Sequence, residues 1–205
     1  MILRYIILFL LALTSAFTEV YVSQDILNNV AKKYNKFAEN RFVNMEHKLE
    51  GLKDKTTIIK LNTVNTFFNE VSYKSDMENY NISDYWATPW EFLARDAGDC
   101  EDYVIAKYFA LKYLGIDPKQ MYFTYVKSTQ FKEAHMVLTY FETPTSEPLV
   151  LDNNNHFVLP ASKRVDLTPV YNFNGDVLSA SAKKANQKTT QKWDELILNI
   201  KKGKI

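Results

Sequence analysis

The hydrophobic pattern of the chain changes period near residue 120. Before that point apolar positions recur at three- and four-residue steps. After it they come in short runs, rich in β-branched and aromatic residues and separated by polar turns. Residues 24–50 contain neither Gly nor Pro. They carry Ile26, Val30, Tyr34 and Phe37 as one stripe, which predicts a single long amphipathic helix. Residues 56–71 predict a second, with Ile59, Leu61, Val64, Phe67 and Phe68 as its apolar set, and residues 72–84 read as a loop. Pro89 suits the first turn of a short helix ending near Ala94.

The strongest helix signal is residues 99–114. Asp99 is a suitable N-cap, Gly115 a stop, and Pro118 lies just beyond. Past its first turn this helix is apolar all round except for Lys107 and Lys112, so it belongs in the core. Residues 121–127, 134–141, 149–152 and 157–159 predict strands, and Thr143 to Ser146 a hairpin loop. Helices followed by an antiparallel sheet define an α+β protein, with a core helix packed on the sheet. Residues 191–199 predict a final helix. It lies in a C-terminal stretch from Asp176 that has seven lysines against three acids, the pattern of a solvated face.

Composition narrows this picture. A net charge of +1 gives no global attraction to nucleic acid or to an anionic membrane, so no nucleic-acid partner is expected. Arg4, the apolar residues 5–13 and the small residues Thr14, Ser15 and Ala16 form a secretory signal, cut before Phe17. The apolar run is short for a membrane span, and the competing reading is an uncleaved N-terminal anchor. The expected organisation is a signal peptide over residues 1–16, one domain over 17–180 and a basic tail over 181–205, in a protein exported to the periplasm.

Export makes the cysteine count informative. Cys100 is the only cysteine, so it makes no internal disulfide. It is either a reactive thiol or a small buried hydrophobe. Its neighbours, Gly98-Asp99-Cys100-Glu101-Asp102-Tyr103, place it in the first turn of the core helix. Unpaired N–H groups and the positive dipole end there favour a thiolate and can stabilise an oxyanion. Asp99, Glu101 and Asp102 oppose this, because nearby negative charge raises the pKa of a thiol. A bound cation would reverse the sign, and clustered carboxylates suit Ca²⁺. Simple N-terminal capping is the alternative use of the same acids.

A nucleophile needs a base. Of three histidines, His47 falls on a charged helix and His156 in an Asn-rich turn, whereas His135 opens a strand. A lone strand histidine is usually a satisfied core residue, but here an acid, Asp152, waits on the next strand. A four-residue loop at 143–146 pairs Val137 with Asp152. That register sets His135 and Asp152 on one face as diagonal neighbours. A two-residue loop at Thr143-Pro144 is disfavoured, since it needs positive φ at a proline.

These blocks resemble a known family. Residues 84–93 (Asp-Tyr-Trp-Ala-Thr-Pro-Trp-Glu-Phe-Leu), Gly98 to Tyr103, Ala134 to Leu138 and Val150 to Asn153 are similar to the bacterial transglutaminase-like cysteine proteinases of LapG type. So are Val64 to Asn69 upstream and Asp166 to Tyr171 downstream, in the same order. The resemblance spans roughly residues 24–180. It implies a papain-like fold and a triad of Cys100, His135 and Asp152. It also implies a required Ca²⁺ at Asp99 and Glu101, with Asp102 beside them. Its further implications are a periplasmic endopeptidase that cuts the N-terminal region of a large cell-surface adhesin, and sequestration by an inner-membrane cyclic-di-GMP receptor. An acyl transferase using the same triad and a non-catalytic binding module are the rival functions. Trp86 and Trp90 are core residues or groove walls.

Overall fold

The computed structural model describes residues 20–130, 134–175 and 187–205. The predicted signal segment 1–16 and the start of the predicted basic tail lie outside the described residues. The N-terminal helical region is two helices, α1 (Gln24–Lys33) and α2 (Lys36–Glu50), rather than the single one predicted. Asn35 breaks the run: its backbone is extended and its side chain accepts from the Ala38 N–H at 3.0 Å, capping α2. The apolar face of α2 is Ala38, Phe42, Met45 and Leu49, and Phe37 is exposed.

Helix α3 (Thr57–Phe68) follows. The segment read as a loop contains a two-residue strand β1 (Ser72–Tyr73) and a short helix α4 (Asp76–Tyr80). Helix α5 (Pro89–Arg95) starts with Pro at its first position and a reciprocal cap between Thr88 and Glu91. Strand β2 (Ala97–Gly98) pairs in parallel with β1 and leads directly into α6 (Cys100–Tyr113). Helix α6 has Asp99 at its N-cap position. It ends at Leu114, and Gly115 follows with φ +84°, a conformation that suits glycine. Lys107, a predicted polar exception on α6, is itself fully buried.

Five antiparallel strands form the main sheet in the order β6-β5-β4-β3-β7: β3 (Met121–Ser128), β4 (Ala134–Tyr140), β5 (Leu149–Asp152), β6 (Asn155–Pro160) and β7 (Leu167–Phe173). Leu138 pairs with Leu151, Thr139 with Val150 and Tyr140 with Leu149. This is the register that the hairpin chemistry predicts, and Ser146 N–H closes the turn on the Thr143 carbonyl at 3.1 Å. Strand β7 was not anticipated. It is an edge strand, mostly exposed, carrying Pro169 beside an irregularity opposite Tyr125 and Val126.

The two faces of the sheet differ. Met136, Leu138 and Leu151 join the principal core with α6, whereas Val126, Val137 and Val150 form a small separate cluster against Ala161 and Leu167. The C-terminal helix α7 (Gln187–Lys201) docks through Trp193, whose ring stacks on Phe109 at 6.0 Å.

Candidate active site

Helix α6 positions the thiol, and the preceding glycine makes the position possible. A Cβ on Gly98 would lie 2.5 Å from Phe92 Cδ2 and 2.6 Å from Asp102 Oδ2. Gly98→Ala should therefore cost about 1–3 kcal/mol of stability and displace the Asp102 carboxylate. Urea denaturation measures the first effect, and wild-type stability in the variant would refute this account of the Gly-Asp-Cys sequence.

Asp102 is fully buried. Its Oδ1 accepts from the Ala87 N–H at 2.9 Å and its Oδ2 from the Asp99 N–H at 3.4 Å, so it ties the start of α6 to the chain entering α5. The half-buried Cys100 points its thiol at Glu101 Oε2, 3.2 Å away. Burial pushes the thiol pKa up, and the Glu101 and Asp99 carboxylates push it further, while the backbone N–H of Met136 pulls it down. The sulfur thus sits against β4, one residue from His135.

His135 and Asp152 come together from β4 and β5, as their register requires. His135 Nε2 lies 2.8 Å from Asp152 Oδ1, and both residues are buried. Burial alone would raise the Asp152 carboxyl. Hydrogen bonds from His135, from the Asn154 N–H and from Arg164 outweigh that and hold it well below the usual carboxylate range. Arg164, Asn154 and Asn69 were not anticipated. Asn69 Nδ2 donates to the Asp152 carbonyl at 2.8 Å, and Asn154 Nδ2 lies 3.4 Å from His135 Nε2. Arg164 and Asn154 lie in turns without periodicity, and Asn69, the C-cap of α3, ends the Val64–Asn69 block. Beneath the pair, burial lowers the Lys107 ammonium to about 7, opposed by the charge of Asp152. His47 is an exposed helix residue, as expected; His156 is exposed too but lies on β6 rather than in the Asn-rich turn, and Trp86 and Trp90 are buried.

The acids beside Cys100 form two overlapping groups sharing Asp76. One is Asp76, Asp99 and Asp102; the other is Asp76, Asp84 and Glu101. Within each, one oxygen per residue lies within 4.8 Å of the others. Of the three predicted ligands, Asp99 and Asp102 therefore fall in one group and Glu101 in the other. Asp76 comes from the supposed loop and had no sequence signal, whereas Asp84 opens the Asp-Tyr-Trp block. Asp76 Oδ1 and Asp99 Oδ1 are buried and have no hydrogen-bond partner among the described residues. Burial, reinforced by Glu101 and Asp102, raises Asp99 to about 10. Burial raises Asp76 to about 6, although the Tyr85 N–H opposes it. Such oxygen-only, anionic and under-satisfied donors fit a hard divalent cation.

A family model for bacterial transglutaminase-like cysteine proteinases (BTLCP) matches residues 30–168, well over half of the chain. The chain belongs to this family. Its fold is that of a transglutaminase-like cysteine proteinase. Legionella pneumophila LapG superposes with a TM-score of 0.73 at 37% identity, covering 89% of this chain and 99% of that one. Calcium-bound Legionella LapG matches at 36% identity and TM-score 0.71, over 87% and 99% of the two chains. The EGTA-treated form matches at 36% identity and 0.73, over 89% and 100%. A search of the curated proteins returned no match.

Proposed function

We propose that this family member is a periplasmic, calcium-dependent cysteine endopeptidase with Cys100 as nucleophile, His135 as acid–base and Asp152 as orienting carboxylate. The observation that carries the reading is the 2.8 Å contact of His135 with a strongly acidic Asp152, beside a thiol that opens a buried helix.

The chemistry is acyl transfer. Cys100 loses its proton to His135, and its sulfur attacks a peptide carbonyl carbon. As the first residue of α6, Cys100 has a backbone N–H without an intrahelical partner, which is free to donate to the developing oxyanion. The C–N bond breaks as His135 returns the proton to the leaving amine. Water, deprotonated by His135, then hydrolyses the thioester. Asp152 holds the imidazole in the tautomer with Nε2–H towards Oδ1, leaving Nδ1 as the working nitrogen. Asp99, Glu101, Asp102, Asp76 and Asp84 would hold Ca²⁺, which supplies the positive charge that these acids otherwise deny the thiolate.

The proposed substrate is the N-terminal region of a large surface adhesin, and the proposed regulator an inner-membrane cyclic-di-GMP receptor that sequesters the enzyme. Incubating the protein and Ca²⁺ with such an adhesin fragment and an excess of labelled primary amine tests this. Mass spectrometry should find one internal cut with an unlabelled carboxyl terminus. Label at the new terminus, or on uncut glutamine side chains, would make it an acyl transferase. An intact, unlabelled fragment would remove the adhesin from the account.

A further inference from the structure

The Asp152 carboxylate is held from both sides. Oδ1 receives His135 and the Asn154 N–H. Oδ2 receives the Nη2–H of Arg164 at 2.6 Å. Arg164 is buried and is itself fixed by Asp166: its Nε–H donates to Oδ1 at 2.9 Å and its Nη2–H to Oδ2 at 2.8 Å. A guanidinium is rigid and planar, so two bonds to one acid fix the direction in which it meets another.

The fold explains why Arg164 reaches this point. The face of β4 and β5 that carries His135 and Asp152 also carries Val137 and Val150. The segment containing Ala161 and Leu167 covers that face. A short 3₁₀ turn at Ala161–Lys163 brings the chain round, with the Arg164 N–H bonded to the Ala161 carbonyl at 2.9 Å. The Leu167 N–H then returns to the Arg164 carbonyl at 3.0 Å, so Arg164 and Asp166 lie within one compact loop. Arg164 meets the triad at Asp152, so its effect on chemistry passes through that carboxylate.

We propose that Arg164, anchored by Asp166, is a positioning residue that fixes the plane of the Asp152 carboxylate and thereby the tautomer of His135. This deepens the triad reading and rests on it. A carboxylate gripped at one oxygen only can rotate about its Cβ–Cγ bond. With Oδ2 held, rotation is blocked and Oδ1 stays in line with Nε2. Reaction geometry is sensitive to displacements of this kind.

The test uses two readouts that need no protein substrate, so its outcome is separate from that of the adhesin experiment. The chain has only three histidines, so the ring ¹⁵N signals of His135 are readily assigned. In a Cys100→Ala background at mildly alkaline pH, His135 should show one neutral tautomer, protonated at Nε2. Adding Arg164→Gln should mix the two tautomers. In the chain that keeps Cys100, Arg164→Gln should slow carbamidomethylation by iodoacetamide about 10- to 100-fold. A single unchanged tautomer with an unchanged alkylation rate would overturn the proposal, even if the melting temperature fell, because it would leave Arg164 a purely structural residue. If Arg164→Gln does not fold, Asp166→Asn decides: it keeps the guanidinium but loosens its anchor. A partly mixed tautomer and slower alkylation support the proposal, and wild-type values overturn it.

Discussion

Replacing Cys100 with Ala should reduce peptide-bond cleavage by roughly 10⁴-fold or more, to the limit of detection, and leave the protein folded. The loss is large because the chain has no other thiol that could substitute. Without a nucleophile, His135 and Asp152 retain only the weak ability to activate water. The fold should survive because Cys100 is half-buried and its sulfur makes only weak polar contacts, with Glu101 and with the Met136 N–H. Removing the sulfur costs little packing, and it relieves Glu101 of a thiol whose ionisation burial and the two acids oppose. A stability change of about 1 kcal/mol or less, or about 2–4 °C in melting temperature for a chain of this size, is expected. His135→Ala should cost comparable activity but more stability, since it leaves the buried Asp152 Oδ1 with only the Asn154 N–H. Cleavage assays paired with thermal melts measure both. Cleavage at the wild-type rate by a folded Cys100→Ala chain would show that another group does the chemistry.

The parts of this site that could be read in the sequence are those fixed by local rules. The start of α6 follows from Asp99, its end from Gly115, and the β4–β5 register from a turn that Pro144 confines to four residues. From that register the contact between His135 and Asp152 follows. What escaped the sequence depends on several weak local signals or on tertiary placement. Tyr34 and Phe37 continue the apolar stripe of α1, so the pattern conceals the break at Asn35. In the fold Phe37 faces solvent and Asn35 caps a new helix with a different buried face. Pro169 lacks an N–H and lowers the strand signal of β7, yet an edge strand with an irregularity tolerates it. Arg164 and Asp76 sit in short polar stretches with no periodicity. Each acquires its role only when the chain brings it to a partner at a distance, Asp152 for Arg164 and the Asp99 group for Asp76. The acids beside Cys100 were visible, and Asp84 opens a recognisable block without announcing itself as a ligand; Asp76 had no signal at all.

Ca²⁺ should raise the melting temperature at neutral pH and do so progressively less as the solution is acidified. Without the ion, burial and mutual repulsion place Asp99 at about 10 and Asp76 at about 6, both above their unfolded values. A carboxyl whose folded pKa is raised contributes stability below its unfolded pKa, near 4. That contribution is lost as pH rises, through about 6 for Asp76 and on towards about 10 for Asp99. The ion-free protein should therefore weaken from mildly acidic pH upwards. Asp152 works in the opposite sense: its folded pKa is depressed, so its contribution is present above about pH 4 and fails in stronger acid. A bound cation stabilises the ionised acids and removes the alkaline loss. At a free concentration of about 100 Kd the gain is about 2.7 kcal/mol, equivalent to about 5–10 °C in a chain of this length. Melts in CaCl₂ and in EGTA across pH 5 to about 8, the range over which the Asp76 and Asp99 contributions change, provide the measurement. Asp99→Asn should raise the ion-free melting temperature, because a neutral amide replaces a repelled carboxylate, and should abolish the response to calcium. Asp76→Asn should do the same if both acid groups form one site. Equal melting temperatures with and without calcium at the alkaline end would mean that the acids beside Cys100 cap a helix and hold no ion.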